Sequence, residues 1–115
     1  MPKINIKVTI KSANETISRK CIGIYQDGIL KYREDDKTKM VFNYNKNELK
    51  RETQELLMKF NFDKNILKIR YKELNMNLDY EIKTNKIKKE HKDIEIKYIL
   101  ENEEFIYRIE AIQWV

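Results

Sequence analysis

Hydrophobic and polar residues alternate with a period of two along most of this chain, and helical spacing is nearly absent. Near the N-terminus, Ile4, Ile6, Val8 and Ile10 fall on one face. The longest pattern, over residues 74–83, places five apolar residues inward: Leu74, Met76, Leu78, Tyr80 and Ile82. Because successive side chains of a strand point to opposite faces, the alternation predicts a succession of half-buried strands.

Short polar segments separate the predicted strands. Asp27-Gly28 predicts a tight hairpin turn, since glycine readily adopts positive φ. Thr84-Asn85-Lys86 predicts another turn. Residues 48–59 also fit an amphipathic helix on propensity alone, but we favour strands there because four apolar residues keep alternating: Leu56, Met58, Phe60 and Phe62.

Nine or ten strands follow from this pattern, with connections of two to four residues. Such connections are too short for parallel crossovers, so neighbouring strands are predicted to be antiparallel. A meander with one apolar face encloses that face by curling, and closure also removes exposed edges. The sequence therefore predicts an all-β fold: an antiparallel up-and-down meander closed into a barrel of about eight to ten strands. Residues 1–115 form one domain, as a 14.1 kDa chain allows.

Short signatures follow one another along the chain at Gly23, Tyr32-x-Glu34, Arg51, Phe60, Tyr71, Thr84 and Tyr98-x-Leu100. Their order resembles the YwiB-like family of small bacterial proteins of unknown function, which have a calycin (lipocalin-like) β-barrel. The resemblance implies a calycin-like barrel. The chain departs from the family pattern at Thr53, where a glycine is usual, and at Lys72-Glu73-Leu74, where a Thr-Pro and glycine turn is usual. The chain would therefore be a divergent member.

The net charge of +5 raises the question of a nucleic-acid partner. The basic residues are interleaved with acids, and the abundance of lysine, isoleucine and asparagine is typical of a low-GC bacterial genome. We therefore treat nucleic-acid binding through a lysine-rich surface as the less favoured alternative. Cys21 is the single cysteine, which fits a reducing cytoplasm, and no signal-peptide or membrane-spanning stretch is evident. We expect a cytoplasmic protein that does not associate with membranes.

The candidate site consists of polar residues on faces predicted to point into the barrel. Tyr32 and Glu34 share a face with Leu30, and Arg51 shares one with Leu49. Arg19 falls on the same face as Cys21. Tyr71 and Tyr98 are further inner-face candidates. A carboxylate beside guanidinium groups could anchor the head group of a ligand. The alternative is that Glu34 and Arg51 only close one end of the barrel.

Catalytic and metal-binding patterns are weak. His91 is the single histidine, no carboxylate cluster has ligand spacing, and no glycine-rich phosphate loop occurs. Nucleophilic catalysis by Cys21, Ser12 or Ser18 would have to recruit that same histidine. We therefore expect a non-enzymatic protein without a metal or cofactor, which binds a small, partly apolar ligand or a protein partner.

Overall fold

The computed structural model describes residues 2–114, which form ten strands. The strands are β1 (Lys3–Lys11), β2 (Thr16–Gln26), β3 (Ile29–Asp35), β4 (Thr38–Asn43), β5 (Glu48–Glu52), β6 (Leu56–Asn61), β7 (Ile66–Tyr71), β8 (Met76–Glu90), β9 (Asp93–Leu100) and β10 (Glu103–Trp114). Among these residues there is no helix with the length and apolar composition needed to cross a membrane.

Each strand pairs in antiparallel fashion with its neighbours in the chain, and β1 also pairs with β10. The sheet is therefore a closed barrel, which confirms the predicted all-β meander. Residues 48–59 form β5 and most of β6, so the preference for strands over a helix is also confirmed. The observed alternation of buried and exposed residues has the period of two that strands require.

The turn predicted at residues 84–86 is wrong. These residues lie within β8, which continues for 15 residues and has a register shift between Thr84 and Lys86. A bulge of this kind accommodates an extra polar residue, here Asn85, without reversing the chain. The first part of β8 pairs with β7 as far as Glu81, and the second part pairs with β9 from Ile82 onward.

The inward burial predicted for residues 74–83 is only partly correct. Ile82 is buried, but Leu74 lies in the turn before β8 and is 69% exposed. Met76 and Leu78 are also exposed, at 41% and 37%. The reason is that β9 ends at Leu100, opposite Ile82. No strand therefore pairs with residues 76–81 on the side of β8 that faces away from β7.

The core lies in the middle of the barrel and at the end that contains the β2–β3, β4–β5, β6–β7 and β8–β9 turns. Phe42, Leu67, Ile96 and Ile109 are completely shielded from solvent there. Aromatic rings fill much of the interior, and Phe42 stacks on Tyr107 with centroids 6.2 Å apart. This interior is therefore packed with side chains over the closed half of the barrel.

A repeated turn closes that end. Residues 43–47 read Asn-Tyr-Asn-Lys-Asn and residues 61–65 read Asn-Phe-Asp-Lys-Asn. In each, the first asparagine accepts two backbone N–H bonds through its side-chain oxygen, and the last has positive φ. The alternation that predicts the strands does not reveal this repeat, because the repeat lies in the turns.

The repeated turns position two aromatic side chains, Tyr44 and Phe62, at this end of the barrel. The backbone N–H of Tyr44 donates to the carbonyl of Gly28, and that of Phe62 donates to the carbonyl of Asn47. Both rings are buried, and the Tyr44 hydroxyl donates to the Lys92 carbonyl at 2.6 Å. Each turn is thus bonded to the preceding one, which seals this end of the barrel.

The β2–β3 hairpin closes the barrel on one side. Asp27 and Gly28 both have positive φ, 54° and 78°, as the predicted two-residue turn requires. Gly23 is buried beside β3, and a Cβ there would lie 2.8 Å from Leu30 Cδ1 and 3.3 Å from the Lys31 carbonyl oxygen. The lack of a side chain at Gly23 therefore lets β2 approach β3 closely.

We expect Gly23→Ala to lower the free energy of unfolding by about 1–3 kcal/mol, because the added methyl group overpacks the contact with Leu30 and the Lys31 backbone. Urea denaturation measures this change. Lys20→Ala, at an exposed position on the same strand, is the control and should change stability by less than about 0.5 kcal/mol. Equal effects of the two substitutions would contradict the close approach.

A charged cluster links β8, β9 and β10 on the outer surface. Glu95 accepts a hydrogen bond from Lys86 at 2.9 Å and is also bonded to Arg108. These two cations lower the pKa of Glu95 to about 2. The ionised carboxylate therefore stabilises the folded state, an effect that is fully present above the unfolded pKa of about 4.3.

We expect Glu95→Gln to destabilise the protein by about 1 kcal/mol at neutral pH, a value reduced by solvent screening of the exposed cations. Because the folded pKa is depressed, the difference from the wild type should disappear as the pH falls from about 4 towards 2. Denaturation curves at several pH values measure this. Glu104→Gln, an exposed control, should show no such pH dependence. A difference that persists at the lowest pH would contradict the assignment.

Candidate ligand-binding site

The barrel has a seam between β2 and β3. These strands pair only at Ile24–Lys31, Tyr25–Leu30 and Gln26–Ile29, although β2 begins at Thr16 and β3 extends to Asp35. Beyond the paired segment the two strands diverge, so their facing edges are not joined by a ladder of backbone hydrogen bonds. A cleft of about 100 Å³ occupies this gap.

The walls of the cleft are mostly apolar. Val8 and Ile10 of β1 and Ile17 and Cys21 of β2 line it, and Tyr32 of β3 faces them. The predicted inward face of β2 is correct for Cys21, which packs against the core, but Ile17 is 40% exposed because β3 has already diverged there. The cleft therefore connects solvent with the hydrophobic interior.

Basic residues surround the opening. Arg19, Lys20 and Arg33 line the cleft together with one acid, Glu34. The Arg19 guanidinium donates to the backbone carbonyl of Glu34 at 2.6 Å, which bridges the seam. Glu34 itself is paired, since Arg51 Nη2 lies 3.5 Å from Glu34 Oε2. The cleft is consequently positive in sum, and its only acid is already neutralised by a cation outside the lining.

The structure brings together four of the six predicted site residues: Arg19, Tyr32, Glu34 and Arg51. Their common feature is a position on the seam or next to it. The Glu34–Arg51 ion pair that the sequence reasoning put forward is present and partly buried, with 18% of the Glu34 side chain and 34% of the Arg51 side chain exposed. In the register of the sheet, Arg51 lies on the inner face between Met40 and Met58.

Tyr71 and Tyr98 are not part of the cleft lining. Tyr71 is half-buried on β7, where it pairs with Leu56 and Met76. Tyr98 is a core residue whose ring lies 5.7 Å from Phe60 and 5.4 Å from Phe105, and burial raises the pKa of its hydroxyl to about 12. Packing of the hydrophobic core therefore explains Tyr98 without any ligand.

Two tyrosines form the inner limit of the site. The hydroxyl of Tyr32, which lines the cleft, is hydrogen-bonded to the buried hydroxyl of Tyr107 on β10. Burial raises the pKa of both groups well above the ordinary value for tyrosine. Both phenols therefore stay protonated across the physiological range. The contact between Tyr32 and Tyr107 is not predictable from the strand pattern, because the pattern does not show which rings meet across the barrel.

Cys21 is the thiol in the cleft lining. Burial raises the pKa of the Cys21 thiol, so its nucleophilic thiolate form is disfavoured at neutral pH. His91 is exposed in the turn between β8 and β9. Within residues 2–114, no group of three or more His, Cys, Asp and Glu side chains is arranged to hold a metal ion. The arrangement is suited to non-covalent binding at an apolar cleft with cationic edges.

No protein-family model, curated protein or solved structure matches this chain. The resemblance to the YwiB-like family stays a prediction.

The tyrosine pair gives a test of the inner limit of the site. Tyr32→Phe or Tyr107→Phe alone leaves the remaining buried hydroxyl without its partner, so each should cost about 1–3 kcal/mol of stability. The double variant removes both hydroxyls and should recover most of that loss. Urea denaturation of the four proteins measures the coupling. Additive losses in the double variant would show that the hydroxyls do not depend on each other.

Proposed function

We propose that this protein is a non-enzymatic binding protein whose ligand is a small, partly apolar anion held in the cleft between β2 and β3. The observation that carries the proposal is the divergence of these strands after three residue pairs, which leaves an apolar cleft with cationic edges.

The size of the cleft limits the apolar part of the ligand. A volume of about 100 Å³ is smaller than the ~150 Å³ engineered cavity that accepts benzene. It therefore suits a short chain of about three or four carbon atoms. The rest of the ligand would lie over the seam, where the side chains are polar.

The charge of the edges favours an anionic head group. Arg19, which is bonded across the seam, has an exposed side chain and donates to a backbone carbonyl rather than to a carboxylate. The remaining N–H groups of Arg19 lie in the plane of its guanidinium, and this geometry is suited to paired hydrogen bonds with a carboxylate. The carboxylate of Glu34 does not oppose the binding of an anion, since Arg51 neutralises that carboxylate. We therefore favour a short-chain carboxylate over a neutral or cationic ligand.

Two-dimensional ¹H–¹⁵N NMR with butyrate and butyramide as probes tests the proposal. Butyrate should shift the amide signals of residues 17–21 and 32–34 at millimolar concentration, and butyramide, which has the same apolar part without the charge, should shift them much less. Native mass spectrometry of freshly purified protein complements this by detecting a retained anion.

Arg19→Met is the informative variant, because it preserves an unbranched side chain and removes the charge. We expect it to weaken butyrate binding about 10-fold or more, the value of one charge-assisted hydrogen bond. Arg70→Met is the matched control, since Arg70 lies exposed on β7 and bonds to Asn75. If butyrate leaves the seam amides unchanged, or if both variants reduce binding equally, the proposal is wrong.

A further inference from the structure

A row of lysines crosses the outer face of the sheet formed by β3 to β7. Lys50, Lys59 and Lys68 are direct cross-strand partners, one on each of three adjacent strands. Val41 and then Lys31 continue the same row towards β3. We call these four lysines, with Val41, the lysine row. Neighbouring strands are about 4.8 Å apart, so the row is roughly 19 Å long.

Like charges placed directly opposite each other destabilise a sheet. Among the described residues, no salt bridge involves Lys50, Lys59 or Lys68. The two acids on the adjacent outer rows of β5 have other partners: Glu52 is paired with Lys72 at 2.8 Å, and Glu48 accepts a bond from Asn61. Asp79 of β8 lies directly across from Lys68 at the end of the row, but no salt bridge joins them. Three lysines in register therefore repel each other without a salt bridge to offset the repulsion.

The opposite side of the barrel is arranged differently. There Glu95 lies directly across from Arg108 and Lys88 and also binds Lys86, so basic residues alternate with an acid. Lys7–Lys20 and Lys86–Lys97 are cross-strand lysine pairs elsewhere in the barrel, so this face is distinguished by three lysines in register on three adjacent strands.

A groove of about 540 Å³ accompanies the row. Lys50, Lys59 and Lys68 line it, together with Lys64 from the repeated turn and apolar residues such as Val41 and Ile66. On the next outer row, Arg33, Lys39 and Arg70 add three basic side chains against one acid, Glu52, which is paired with Lys72.

We infer that the lysine row binds the phosphate backbone of a nucleic-acid duplex. Evenly spaced cations on adjacent strands match a linear polyanion better than a compact acidic patch. Phe60, the aromatic residue in the groove lining, is only 6% exposed, so the base stacking that dominates single-strand binding is not provided here. Tyr98 and Tyr107 are not available for stacking either, since both are buried in the core.

Fluorescence anisotropy with a labelled 20-base-pair duplex of mixed sequence measures the binding. If the four lysines neutralise about four phosphates, log affinity should fall with log salt with a slope near −3.6, or about 100-fold between 50 and 200 mM salt. The variant Lys50→Gln/Lys59→Gln/Lys68→Gln should reduce this slope by about 2.7 and weaken binding at least 10-fold at low salt.

The matched control is Lys3→Gln/Lys11→Gln/Lys83→Gln, which removes the same charge from exposed positions on β1 and β8. It should retain most of the affinity and most of the salt slope. The row variant should also have a higher melting temperature than the wild type in the absence of nucleic acid, because repulsion between the lysines is removed.

Three results would overturn the inference. One is no binding of the duplex by the wild type at 50 mM salt. Another is an equal loss in the two triple variants, which would assign binding to net charge alone. The last is equally strong binding of polyglutamate, which would make the face a docking surface for acidic proteins. The butyrate experiment addresses a different face, so failure of one proposal leaves the other intact.

Discussion

The backbone pairing between β2 and β3 is the constraint on which the rest of the structure depends. Only three residue pairs close the barrel at this point, and Gly23 permits the close approach next to them. Without this contact the meander would be an open sheet with an exposed apolar face and two free edges. With it, the aromatic residues are enclosed at one end, while the strands diverge towards the other end and leave the seam.

Strand positions could be predicted from the sequence because a strand shows its period locally. The alternation of residues 56–62 was enough to favour β6 over a helix, and Asp27-Gly28 was enough to place the hairpin. The bulge at Thr84 and Lys86 was not predictable, because a polar triplet inside a strand has the same composition as a turn. The exposure of Met76 and Leu78 depends on where β9 ends, which is a property of the register and not of the local pattern.

The candidate site was predictable only as a set of inward-facing polar residues. The alternation of inward and outward positions brought Glu34 and Arg51 together correctly, since both face the interior on neighbouring parts of the sheet. The same alternation could not distinguish Tyr98, which packs in the aromatic core, from Tyr32, which reaches the seam. The lysine row was missed for a related reason. Lys50, Lys59 and Lys68 of the row are spaced nine residues apart in the chain, and only the register of the sheet makes them direct neighbours.

Amide hydrogen exchange along β2 tests the seam most directly. Tyr25 donates its N–H towards β1, so Gly23, Cys21 and Arg19 do the same, while Ile22, Lys20 and Ser18 direct theirs into the seam. The account predicts slow exchange at the first three amides and fast exchange at the last three. Slow exchange at both sets would mean that β2 and β3 form a continuous ladder, and the cleft would not exist.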